Sequence, residues 1–219
     1  MAPARALRVA DIVAAAPDAG LAAICLLTWL APDALGAQQV RYVVLLMLLE
    51  FVVIHSAAFM GQAVVDIDQP PARAMAILGF GLFYTIFVGA FGLAFHTWWP
   101  VAGFWLLTGN RLLGVLVGQA PDGEERRYLR AGWATGVVFY VGAVFLTLFL
   151  PLPRFGITPD VVARQGFAGM GGVWIQEPHR VVAAGFLYFA ATAVSELFGH
   201  DWLHVRVGAA GPTRAAGSR

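Results

Sequence analysis

Residues 45–61 read LLMLLEFVVIHSAAFMG, and what this stretch can be decides the fold. Apart from Glu50, His55 and Ser56 it is apolar or glycine, and it sits inside a longer apolar run, 40–64. About 20 such residues at ~1.5 Å each cross a hydrocarbon core of ~30 Å. The run therefore predicts a membrane-spanning helix that carries an acid and an imidazole where lipid tails should be.

Working outward, four more segments reach that length: 72–95, 98–118, 129–150 and 180–199. A sixth, 12–31, is interrupted by Pro17 and Asp18, which leaves 19–31 too short to span alone. It reads as a kinked span, with a tilted or re-entrant segment as the alternative. The expected fold class is all-α: a polytopic integral membrane helix bundle of six transmembrane helices, or five if the first segment is re-entrant. One transmembrane domain, 1–219, accounts for the chain, with short cytoplasmic tails at 1–11 and 205–219 and one long extracytoplasmic loop, 151–179.

Composition agrees. Apolar residues make up 59% of the 219, charged residues only 12%, and mean hydropathy is +0.73, whereas soluble domains carry about 25% charge. Membrane lipid is the expected surrounding. A net charge of +1 with no dense cation cluster excludes nucleic acid as a partner. Cys25 is the lone cysteine, so neither an internal disulfide nor a CxxC pair can form. The N-terminal segment lacks the pattern of a cleavable signal, and is expected to stay.

All fourteen basic residues are Arg, and their distribution sets orientation. With six spans and both termini cytoplasmic, Arg5, Arg8, Arg73, Arg126, Arg127, Arg130, Arg206, Arg214 and Arg219 lie inside. Arg41, Arg154, Arg164 and Arg180 lie outside. Nine against four predicts a multi-pass protein of a bacterial-type inner membrane with N- and C-termini in the cytoplasm. Punctuation between spans is conventional: Asp68 before Pro70 and Pro71 predicts a capped helix start, TPDVVARQG a short surface helix, and Pro178 the opening of the last span.

Glu50 lies about ten residues into its span and Arg111 about thirteen into its own, both counted from the outer side. A charge at such depth costs ~2.5–3.5 kcal/mol unless paired or wetted, so the simplest account is that the two meet. On a 3.6 period Glu50 shares a face with Met47, Ala57 and Gly61, and Arg111 shares one with Leu107, Gly114 and Gly118. The Gly114–Gly118 GxxxG predicts close helix approach on Arg111's side, with Asn110 and Thr108 as further hydrogen-bonding groups. Two readings follow: a substrate, proton or ion site built on Glu50, Arg111, Asn110 and His55, or a buried ion pair that fixes helix register. His55 is rotated about 140° from Glu50 and is explained by a hydrogen bond to a neighbouring helix.

Glu196, His200 and His204 recur at i, i+4, i+8 and could hold a metal, although Gly199 and Asp201 suggest that the helix ends there. No two histidines at matched depth offer a haem slot, and no cofactor is expected. The best functional expectation is a small transporter or channel with an intramembrane Glu/Arg polar site. A homo-oligomer or a partner membrane subunit would form through the Gly-rich third and fourth spans. A non-catalytic membrane subunit of a larger complex is the alternative, and a membrane-embedded metal-dependent enzyme the third.

Overall fold

The computed structural model describes residues 9–67, 69–117 and 123–198, with only the backbone described at Ala10 and over 123–129. These residues are helical with no strand among them: α1 (Val9–Leu30), α2 (Gln39–Asp66), α3 (Pro70–Ala94), α4 (Trp99–Val117), α5 (Gly123–Phe149), the short α6 (Pro159–Ala163) and α7 (Val173–Gln176), and α8 (Pro178–Leu197). Six helices are long and apolar enough to cross a membrane, so the chain is a helical multi-pass membrane bundle.

The first segment is one of the six. α1 runs unbroken through Pro17 for 22 residues, about 33 Å of helix. Proline removes a donor to the carbonyl four residues back, a defect that membrane helices tolerate when neighbours compensate. Here α8 packs along α1, burying Ala15, Ala22, Cys25 and Trp29 on one stripe.

α2 is the axle. On one side it joins α1, α5 and α8 in a core that includes Val44, Met47, Tyr140, Val181 and Phe189. On the other it packs with α3 and α4 around Met60, Ile77, Val88 and Phe104. Its 28 residues span about 42 Å, more than a bilayer core.

The 151–177 connection folds down over one end of the bundle, here the loop face. Ile157, Val161, Phe167 and Ile175 are buried beneath it, and Trp174 packs partly against the same core. Gly156 donates its N–H to the Trp29 carbonyl (3.1 Å) and must be glycine, because a Cβ there would lie 2.5 Å from the Leu30 oxygen. The predicted surface helix is α6, whose N-cap Thr158 accepts from the Val161 N–H. For α3 the N-cap is Gln69, without a side-chain cap bond, and the two prolines fill the first turn as expected; Asp68 lies outside the described residues.

Three arginines share one task. Each sits in the first turn of a helix, where a cation opposes that helix's own dipole. Each reaches instead to the carbonyl end of an adjacent helix. Arg41 of α2 donates to Phe95 O at the end of α3 (2.7 Å) and to Gln165 O and Gly166 O of the loop. Arg73 of α3, 2% exposed, donates twice to Ile67 O just past α2. Arg180 of α8 donates to Thr147, Leu148 and Leu150 carbonyls at the end of α5. A guanidinium's fan of donors suits the converging orphan carbonyls of a helix terminus.

Candidate functional site

Glu50 lies on the α2 face that meets α5 and α8. Its Oε1 accepts a hydrogen bond from the Tyr188 hydroxyl of α8 at 2.7 Å. Tyr188 in turn packs edge-on to Tyr140 of α5, with ring centroids 5.4 Å apart at 80°. The Tyr140 hydroxyl donates to Met47 O, one turn back along α2, also at 2.7 Å. Both tyrosines are buried and Glu50 is partly so. Counted from the loop-face ends of their helices, all three lie roughly 14–17 Å deep at ~1.5 Å per residue.

Just toward the loop face the helices approach most closely. A Cβ on Gly185 of α8 would come within 2.9 Å of Cys25 Sγ (α1) and 3.1 Å of Met47 Sδ (α2). Glycine here lets α8 settle against α1 and α2 and brings Tyr188, one turn on, within reach of Glu50. Farther from the loop face, Asp18 of α1 lies within electrostatic reach of Glu50, Tyr188 and Glu196. Glu196 Oε2 is buried with no hydrogen-bond partner among the described residues. The site is therefore a junction of α1, α2, α5 and α8, with Glu50, Tyr140 and Tyr188 at mid-depth and Glu196 near the far end of α8.

Arg111 lies within electrostatic reach of Glu50 but makes no contact with it. Its Nη1 contacts Met60 Sδ at 3.5 Å, ten residues beyond Glu50 on α2 and so about 15 Å farther from the loop face. Among the described residues no ion pair joins the two charges, contrary to the sequence expectation. The reason is facing: Glu50 turns toward α5 and α8, whereas α4 packs on the opposite side of α2, around Met60. The expected glycine face also points the other way. Phe104, Thr108 and Val115 form the buried stripe of α4, while Leu107, Asn110 and Gly114 are exposed. Asn110 has no hydrogen-bond partner among the described residues, and the buried Thr108 Oγ1 likewise has none. Gly118 lies outside the described residues.

His55 is exposed, and its Nδ1 lies 3.2 Å from Phe51 O of its own helix rather than a neighbour's. It stacks on Phe51 and lines a groove of about 430 Å³ between α2 and α5 with Phe59, Gln62 and Trp133. Of the candidate metal ligands, Glu196 is described, while His200 and His204 lie outside the described residues. Among those described, no three His, Cys, Asp or Glu side chains cluster as a metal site would require.

Sequence reasoning missed Asp18, Tyr140 and Tyr188. Asp18 had a signal: with Asp11, Ala15, Ala22 and Cys25 it forms one helical stripe of small and polar residues, the mark of a packed membrane-helix face. The tyrosines had none, because a phenol barely disturbs hydropathy. No protein-family model matches the chain, and no curated protein or solved structure is similar to it.

Proposed function

We propose that this chain is a small transporter or channel of a bacterial-type inner membrane, with both termini cytoplasmic, in which Glu50 is the proton- or cation-responsive group. One observation carries the reading: an acid at mid-depth whose hydrogen-bond partner is a phenol, Tyr188, and not a cation. A structural ion pair would need a guanidinium or ammonium within contact; a tyrosine hydroxyl can bond either protonation state of a carboxyl and so permits exchange. Asp18 and Glu196 supply further carboxyls nearby, while Arg111 acts as a distant counter-charge or anion anchor.

Proton uptake into vesicles holding the purified chain and a pH-sensitive dye is the test. Wild-type protein is expected to raise the uptake rate above empty vesicles under an imposed pH gradient. Glu50→Gln should abolish that increment with helicity and melting preserved, and Tyr188→Phe should reduce it. A carboxyl infrared band that titrates in wild type and vanishes in Glu50→Gln would report the exchange directly. Equal traces from wild type, Glu50→Gln and empty vesicles, with no titrating band, would remove the reading.

A further inference from the structure

Asn110 is set apart from the rest of the lipid-facing surface. α3 and α4 both turn broad apolar faces outward, as helices bathed in lipid should, and α3's includes Met75, Leu82 and Ile86. Only α4 adds an amide to such a face near its middle, with no hydrogen-bond partner among the described residues. Hydrocarbon offers neither donor nor acceptor, so an amide left there is costly, and membrane helices satisfy Asn by bonding across to another helix.

The residues around it say which helix. Gly103, Leu106, Asn110, Leu113 and Val117 recur at alternating intervals of three and four, the heptad spacing of a helix-pairing seam. They lie opposite the buried Phe104–Thr108–Val115 stripe, and Leu106, Leu113 and Val117 are 76%, 61% and 85% exposed. Among the described residues, nothing beyond the adjacent residues and the helix's own backbone lies within 4 Å of a Cβ added at Gly103 or Gly114, so this side of the backbone is open to close approach.

We infer that this seam pairs with the same seam of a second copy of the chain, Asn110 to Asn110. Two copies share one orientation in a membrane, so paired α4 helices run parallel. In a parallel heptad pair, like positions meet across the twofold axis. An amide is its own complement there: each NH2 donates to the other's carbonyl. A different partner would need its own polar side chain at matching depth, whereas a second copy supplies a complementary one by symmetry.

The full chain in lipid vesicles, its subunit number read by single-molecule photobleaching, tests this. Wild type is expected as a dimer. Asn110→Leu should weaken dimerisation roughly 5- to 30-fold, since it removes both hydrogen bonds of the reciprocal amide pair. Asn110→Gln should retain it, and neither variant should alter helicity or melting of the subunit, since the side chain touches nothing within it. Cysteine at Leu106 should cross-link between copies and cysteine at Met75 should not; native Cys25, fully buried, will not interfere. Monomeric wild type, dimers indifferent to Asn110→Leu, cross-links through Met75 instead of Leu106, or a different protein captured through Leu106 would each overturn the inference.

Discussion

The two halves of the bundle that flank α2 treat their polar groups oppositely. Beside α1, α5 and α8, Glu50 meets Tyr188, and Tyr140 meets a backbone carbonyl, all at one depth. Beside α3 and α4, Arg111 touches only a thioether, Thr108 Oγ1 is orphaned, and Asn110 faces outward. The first half pairs Glu50 within the chain, though Thr135 Oγ1 and Glu196 Oε2 stay without partners among the described residues, and it carries the proposed chemistry. The second turns Asn110 outward, and it is there that a partner outside the chain is proposed.

Overpacking should separate the halves most sharply. Gly185→Ala pushes a methyl against Cys25 and Met47, and is expected to destabilise by about 1–3 kcal/mol. Gly114→Ala on α4 meets open space and should leave the melting of the isolated subunit unchanged within about 0.5 kcal/mol. Thermal unfolding of both variants in the same detergent checks this. Equal losses would mean that the two halves are packed alike.

A smaller effect concerns Glu50's partner. Glu50→Leu, which removes the acceptor, and Tyr188→Phe should couple in a double-mutant cycle by about 0.6–1.7 kcal/mol, the average to the maximum for hydrogen bonds between membrane helices. Glu50→Leu and Arg111→Leu should couple more weakly, because these two groups are within electrostatic reach but not in contact. Reversal of the two couplings would restore the Glu–Arg pair and undo the division of the bundle.

The spans were legible because length and apolarity are properties of a segment alone, and Val43 to Val65 needs no neighbour to declare itself. Continuity of α1 was not, since hydropathy scores Pro17–Asp18 as a break while packing against α8 carries the helix through. Glu50 and Asn110 were legible as anomalies, but their partners were not. Choosing Tyr188 over Arg111 requires knowing which side of α2 each neighbour packs on, and the outward turn of Asn110 requires knowing that Thr108, not Gly114, packs on Gly81. Arg41, Arg73 and Arg180 were visible as topology signals. Their capping contacts depend on which helix ends lie side by side, which no single segment records.

The smallest expected effect lies at the loop face of the first half. Glu177 bonds the Arg180 guanidinium, with Arg154 3.6 Å away, and this holds its carboxyl below the usual carboxylate range. A group whose value is depressed on folding stabilises above its unfolded value, ~4.3 for Glu, and loses that contribution as pH falls through the folded value. Glu177→Gln should therefore melt slightly below wild type at neutral pH, with the gap closing as the solution is acidified past about pH 4. Because both partners are part-exposed the gap should be modest and shrink with salt. Arg73 in the second half makes its cap to Ile67 O with no carboxylate bonded to it among the described residues, so Arg73→Gln should lower melting by an amount that stays level across the same pH range. A matching pH response at Arg73 would mean that both caps depend on an acid, and that this difference between the halves is not one of design.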